Sequence, residues 1–374
     1  MRLGVLQAYF SRADVGGGEL HTERLGRALV ARGHEVVVCT DTPADRRELD
    51  LPDGFTVREF DTPAKLNPVN ELSLGRQARG VLEGCDAVLL TDESATVGVS
   101  CDVPTVMVFH LVWHGWLARH GLSGLAGKPQ ALAYAGLERR IVRGADRVVA
   151  ISPNVREDIE RAGCPPEKVV PIPNGVDVER FHPSAAPKAD RFTVHFQGRL
   201  APQKNPRLLV EAAARSEGDW RLTVGGTGTL EADLRNAIDE YGLSDRIEML
   251  GYVPEADLPA RYAASHVYAL PSTYEGMPLA VLEAAASGTP AVVSPRAATD
   301  FVTGETGRIV DTDPAALAGA LDHLSWDRAA VARMGERARE RAVGYSWDRV
   351  AEEYEQLFRE VAERARQPTG GGPA

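Results

Sequence analysis

The sequence predicts an α/β protein made of two doubly wound, Rossmann-like domains. Three observations lead there: a length of 374 residues, two separate series of short apolar runs, and amphipathic segments of helical period alternating with those runs. A single hydrophobic core stops growing near about 250–300 residues, so a chain of this length divides. The runs lack polar alternation, as strands buried on both faces of a parallel sheet do.

The first series opens with an expected strand over 3–8, a loop carrying Gly16, Gly17 and Gly18, a helix from Glu19 to Arg32 and a strand from Glu35 to Thr40. Leu25, Leu29 and Val30 give that helix an apolar side, and Gly33 stands where a C-terminal cap is expected. Further buried strands are expected at 87–90, 105–109 and 147–151. After the loop 176–190 a second series follows, with strands expected at 193–197, 220–224, 247–250, 267–270 and 291–294, and helices at 205–215, 229–240, 256–264 and 279–287. From Pro314 the pattern turns helical and closes on Trp347 to Arg366, where Val350, Tyr354, Leu357, Phe358 and Val361 make one apolar face. The expected domains are 1–178 on the acceptor side, 190–345 on the nucleotide side and a closing helix over 346–366, with 367–374 a disordered tail. In such folds ligands bind where loops leave the carboxyl ends of strands, and two facing rows of strand ends would form a cleft.

Composition narrows the function classes. The 44% hydrophobic and 25% charged content is that of a globular protein, and no apolar run approaches the roughly 18 residues a spanning helix needs. The start Met1-Arg2-Leu3-Gly4-Val5-Leu6 has no signal-peptide character, so a cytoplasmic location and no integral membrane segment are expected. A net charge of −11 argues against a nucleic-acid partner or a general anionic-membrane binder. Cys39, Cys85, Cys101 and Cys164 are too scattered for structural zinc or a disulfide framework.

The most informative stretch runs from Leu270 to Ala284. Pro278 suits the first helical position, which leaves the N–H groups of Leu279, Ala280 and Val281 facing whatever precedes the helix, a place that attracts phosphate. Glu275 precedes the helix and Glu283 lies in its second turn, so the two carboxylates can address different parts of a ligand, one a sugar and the other a ribose diol. Upstream, Arg199 and Lys204 leave the strand end 193–197 on one loop, and two cations are what a diphosphate leaving group requires where no metal neutralises it. Gly225-Gly226-Thr227-Gly228 follows another strand and either admits a nucleotide or turns the chain. In the first domain Gly16-Gly17-Gly18-Glu19 precedes a helix but lacks the Gly-x-Gly-x-x-Gly spacing of dinucleotide sites. His110 ends the apolar strand 105–109 and projects from the sheet edge, as a ligand contact or as a hydrogen-bonded rim histidine. Ser152-Pro153 reads as an N-cap and first-turn proline. Trp113 and Trp116 read as a buried loop or the wall of an acceptor pocket rather than as a membrane-interface segment.

The succession of Gly16-Gly17-Gly18-Glu19, His110, Pro173-Asn174-Gly175-Val176-Asp177, Gly198-Arg199 with Lys204, the glycine run at Gly225–Gly228, and Glu275 spaced from Glu283 resembles the retaining glycosyltransferases of family 4, with the GT-B fold, over nearly the whole chain. The resemblance implies a hexosyltransferase that takes a hexose or N-acetylhexosamine from a nucleotide-sugar donor, a UDP-sugar first, proceeds with retention, and needs no metal or other cofactor. It implies that Arg199 and Lys204 hold the diphosphate, Glu283 the ribose, Glu275 the transferred sugar near its reacting carbon, and that His110 touches that sugar. Gly17 and Gly18 would bring backbone against the donor, and Gly226, Gly276, Met277, Leu279 and Ala280 would complete the donor site. It further implies that the helix begun by Tyr345-Ser346-Trp347 returns to the N-terminal domain. Two departures stand out: Gln203 precedes Lys204 where an acid is common, and Arg296-Ala297-Ala298-Thr299-Asp300 replaces a glycine pair followed by glutamate.

The expected acceptor is a small, polar, hydroxyl-bearing molecule. Asp14 and Glu19 flank the glycine run, and Asp92 and Glu93 follow the strand 87–90. If these carboxylates converge they favour a cationic acceptor such as an aminocyclitol or aminoglycoside precursor, which would place the chain in antibiotic biosynthesis. The alternatives are a lipid or inositol-phosphate acceptor, a noncatalytic sugar-nucleotide-binding protein, and an NAD-dependent oxidoreductase in which Asp41 would hold the ribose.

Overall fold

The structure, a computed structural model, describes residues 1–11, 16–45, 48–62, 69–91, 96, 102–117 and 131–367. The chain forms two compact units, one of Met1–Asn174 with Trp347–Ala374 and one of Gly175–Ser346.

The first unit is built on strands β1 (Arg2–Leu6), β2 (Glu35–Asp41), β3 (Phe55–Phe60), β4 (Ala87–Leu90), β5 (Thr105–Phe109), β6 (Arg147–Ala150) and β7 (Val169–Pro171). They pair in parallel in the order β3-β2-β1-β4-β5-β6-β7. The order reverses between β1 and β4, where Leu3 lies opposite Ala87 and Leu6 opposite Leu90. Every residue of β4 is buried, as its run Ala-Val-Leu-Leu requires of a strand covered on both faces. β1 stops at Leu6, short of the expected 3–8, because the chain turns through Tyr9 with a positive φ of 68°. The helix Gly17–Ala31 buries Leu25 and Leu29, and Val30 is only half-buried.

The helix Trp347–Arg366 belongs to this unit and buries Val350, Tyr354, Leu357, Phe358 and Val361, the face its sequence marks as apolar. Arg32 at the end of the first helix reaches Glu355 at 2.7 Å, and Arg147 at the start of β6 reaches Glu360 at 2.6 Å. Among the described residues no helix is long and apolar enough to cross a membrane.

The second unit carries β8 (Phe192–Gln197), β9 (Trp220–Gly225), β10 (Ile247–Gly251), β11 (Val267–Leu270), β12 (Ala291–Val293) and β13 (Gly307–Ile309), again parallel, in the order β10-β9-β8-β11-β12-β13. Its reversal lies between β8 and β11. Their ladder holds Val267 opposite Val194 and Tyr268 opposite His195 and goes no further, so the strand ends leading into 198–206 and 271–278 part from each other at the switch point while each stays paired on its other side.

Candidate functional site in the C-terminal unit and its histidine counterpart

The loops after β8 and β11 are stitched together. Lys204 Nζ donates to Glu275 Oε1 at 2.7 Å, with the lysine half-buried and the carboxylate 8% exposed. Gln203 fixes the same two loops from its other groups. Its side-chain amide donates to the Tyr274 carbonyl at 2.9 Å, and its carbonyl accepts the Thr273 N–H at 2.8 Å and the Thr273 hydroxyl at 3.2 Å. An acid at position 203 could accept but not make that first donation, so the departure from the family pattern has a local reason. The other departure is also part of the scaffold: the Arg296 carbonyl accepts the Glu275 N–H at 3.2 Å.

Glu283, in the helix Leu279–Ala286, is buried, and Tyr262 donates its hydroxyl to Glu283 Oε2 at 3.3 Å. Tyr268 in β11 donates to the Gln197 carbonyl at 3.0 Å. Burial, then the charges of Glu275 and Glu283, hold the Tyr268 phenol well above its ordinary value. The two glutamates thus both act on one neutral phenol through their charge, while each has its own donor, Lys204 for one and Tyr262 for the other.

Pro278 occupies the N-cap rather than the expected first helical position. The Val281 N–H is not free as expected, because it bonds to the Pro278 carbonyl at 3.1 Å. Among the described residues, the Leu279 and Ala280 N–H groups are left as the amides at this helix start without a backbone acceptor. Gly276 and Met277 are buried in the turn before it, and Arg199 is exposed just beyond β8. Gly226, with φ of +122°, lies against the first loop, where a Cβ would stand 2.0 Å from the Gly198 carbonyl oxygen. The glycine run therefore lets the loops after β8 and β9 pack backbone to backbone.

In the N-terminal unit, His110 follows β5 and packs edge-on against His21, ring centroids 4.7 Å apart. Burial pushes the His110 imidazole down to about 4, so it is neutral near pH 7. His21, buried, holds Asn174 at 2.9 Å through Nδ1, which explains the asparagine of the Pro-Asn-Gly-Val-Asp motif. Gly18 keeps a side chain away from His110, since a Cβ there would lie 3.3 Å from its Cδ2, whereas Gly17 faces open space. Ser152 caps its helix as expected, accepting the Val155 N–H at 3.3 Å.

Of the four acceptor-side carboxylates, Asp14, Asp92 and Glu93 lie outside the described residues. Glu19, in the first turn of its helix, reaches back so that its Oε2 accepts the Gly16 N–H at 2.9 Å. Sequence reasoning missed Tyr262, Tyr268 and His21, and marked Gln203 only as a departure from the family pattern. The signal available for His21 was its place four residues past Gly17 on the buried side of the first helix, but nothing local pairs it with Asn174, 153 positions away.

Two family descriptions match the chain: Glycosyltransferase Family 4 over residues 15–180 and Glycosyl transferases group 1 over 177–341. A D-inositol 3-phosphate glycosyltransferase of Kineococcus radiotolerans is 30% identical, covering 96% of this chain and 94% of its own. Among solved structures, sucrose-phosphate synthase from Thermosynechococcus elongatus superposes with a TM-score of 0.82 at 23% identity, over 97% of this chain and 99% of that one. Anabaena HepE in complex with UDP and glucose does so with a TM-score of 0.76 at 19% identity, over 96% and 100%. These likenesses, together with the paired doubly wound sheets and the Lys204–Glu275 loops, place the chain in the group 1 glycosyltransferases of family 4, with the GT-B fold.

Proposed function

We propose that the protein transfers a hexose or N-acetylhexosamine from a UDP-sugar to a hydroxyl of a small polyol acceptor, an inositol phosphate first, with retention and without a metal. The observation that carries this reading is the Lys204–Glu275 pair at 2.7 Å, which sets a cation and a carboxylate side by side at the switch point of the second sheet. In the reaction Lys204 and Arg199 bear the charge that accumulates on the departing diphosphate, and the Leu279 and Ala280 amides add to it. Glu283 takes the ribose hydroxyls. Glu275 takes a hydroxyl of the transferred sugar. On the retaining route the departing phosphate oxygen accepts the acceptor proton as the new glycosidic bond forms on the face the leaving group vacates.

The donor is supported by the HepE complexes with UDP and UDP-glucose, and the acceptor by the relative named for D-inositol 3-phosphate. No relative reported above is named for an aminocyclitol acceptor, and of the four carboxylates expected to draw one, Glu19 is the one among the described residues, with Oε2 accepting the Gly16 amide.

The test is UDP release from UDP-glucose, UDP-galactose and UDP-N-acetylglucosamine, each with D-inositol 3-phosphate, myo-inositol and 2-deoxystreptamine. Release stimulated by the inositol phosphate supports the reading. Stimulation by 2-deoxystreptamine alone would replace its acceptor, and silence with every donor would remove its donor.

A further inference from the structure

We propose that Tyr9 and Trp113 form the platform that receives the acceptor ring, with Glu71 as the residue that positions it. The inference rests on the glycosyl-transfer reading above and assigns its acceptor site. Four elements of the first unit meet here: the turn after β1 (Tyr9), the helix Val69–Leu82 (Glu71), the helical segment that begins at Trp113 after β5, and the helix Ala131–Gly144 (Tyr134). β1 and β5 flank β4 on either side of the strand-order reversal, so both segments follow strands at the end where doubly wound folds bind ligands.

The contacts form a chain. Tyr9 donates its hydroxyl to Glu71 Oε1 at 3.3 Å, and Tyr134 donates to the same oxygen at 3.3 Å. Tyr134 stacks on Trp113 with centroids 5.2 Å apart and planes 15° off parallel, and Trp116 meets Trp113 edge-on at 6.0 Å. Both Trp113 and His114 are anchored from below, since Glu138, fully buried, accepts their backbone N–H groups and the His114 imidazole. Glu71 and Tyr134 are buried, whereas Tyr9 and Trp113 remain half-exposed, so those two are the groups a ligand can touch.

A second observation is independent of these contacts. Tyr9 has a φ of 68°, a conformation that a bulky residue adopts only when its surroundings impose it. Asp41 imposes it by accepting the Tyr9 N–H at 2.6 Å, and Thr40 Oγ1 accepts the next N–H, from Phe10, at 3.1 Å. The strained turn holds a half-exposed phenol beyond the carboxyl end of β1, and Glu71, which accepts its hydroxyl, sets that hydroxyl's direction.

This chemistry recognises a polyhydroxylated ring. Aromatic faces take the C–H side of a pyranose or cyclitol, and a phenol oriented by a carboxylate accepts one ring hydroxyl. An acyl chain or a peptide strand has no use for that alternation of face and hydroxyl.

The experiment compares wild type, Tyr9→Phe, Trp113→Leu and Glu71→Gln, using UDP-glucose with D-inositol 3-phosphate, myo-inositol and 2-deoxystreptamine, and measures acceptor KM, donor KM, and UDP-glucose hydrolysis without acceptor. Tyr9→Phe and Trp113→Leu should raise KM for the acceptor used at least tenfold, while donor KM and acceptor-free hydrolysis stay within twofold. Glu71→Gln, which keeps a polar partner for both phenols, should fall between wild type and Tyr9→Phe. Acceptor KM unchanged in Tyr9→Phe and Trp113→Leu, equal losses in donor and acceptor KM, or failure of every cyclitol to stimulate a wild-type enzyme that still hydrolyses UDP-glucose, would each overturn the platform. An enzyme that neither binds nor hydrolyses any UDP-sugar overturns the transferase reading instead.

Discussion

Lys204 Nζ lies 2.7 Å from Glu275 Oε1, and this ion pair ties the loop after β8 to the loop after β11 across the point where the second sheet reverses its strand order. On the proposed reading, the cation that bears the diphosphate's charge is preorganised by the carboxylate that takes the sugar, so the two roles are coupled in one contact.

Lys204→Ala should lower kcat by about 2–4 kcal/mol of transition-state stabilisation, the magnitude of losing one oxyanion donor, with a smaller change in donor KM. It should also lower the melting temperature, because Glu275 is left buried without its cation. Steady-state kinetics and thermal denaturation on one preparation check both; a change confined to KM would make Lys204 a binding residue alone.

The two glutamates should separate. Glu283→Gln should weaken binding of free UDP, whereas Glu275→Gln should leave UDP affinity nearly intact and depress transfer. Calorimetric titration with UDP decides this, and equal weakening by both changes counts against the assignment.

Gln203 is a positioning residue whose amide reaches the Tyr274 carbonyl at 2.9 Å. Gln203→Glu removes that donor and turns an acceptor toward a carbonyl, so unfolding stability should fall by about 1 kcal/mol and kcat should fall with it. Urea denaturation reads the first; stability equal to wild type would show that the contact carries no weight.

Stability should decline on acidification below neutrality. His195 in β8 is buried, its Nδ1 paired with Thr223 Oγ1 at 2.9 Å, and burial pushes its imidazole down to about 4 from an ordinary 6.5. His110 and His266 are depressed to about 4 in the same way. Between these values the unfolded chain binds more protons than the folded one, so folding loses stability as pH falls from about 6.5 toward about 4 and is unaffected by these groups above that window. Urea midpoints measured across this range should fall with pH, and His195→Gln should flatten the slope. A flat profile in the wild type would contradict the burial of neutral imidazoles.

The parts of the fold legible in the sequence were those that local patterning dictates. Val267–Leu270 and Ala87–Leu90 are uninterrupted apolar runs and are strands at the expected residues. β3 escaped notice because it is an edge strand that fully buries Phe55 alone and exposes Thr56 and Arg58, and β7 and β13 because each is three residues long. Lys204, Glu275 and Glu283 were found from strand-end position and family likeness. Their partners were not, since Tyr262 and Tyr268 read as ordinary aromatics of a helix and a strand until the topology brings them beside the carboxylates. The Tyr9–Glu71–Tyr134 chain was illegible for the same reason: its members are 62 and 63 positions apart.

The most direct test of the account is the product itself. The protein, dialysed against EDTA, is incubated with UDP-glucose and D-inositol 3-phosphate, and the anomeric proton of the product is followed by NMR beside UDP release. The account predicts one UDP per glycoside, an α linkage preserved from the donor, and turnover unaffected by the chelator. A β-linked product, or turnover lost in EDTA and restored by magnesium or manganese, would contradict it.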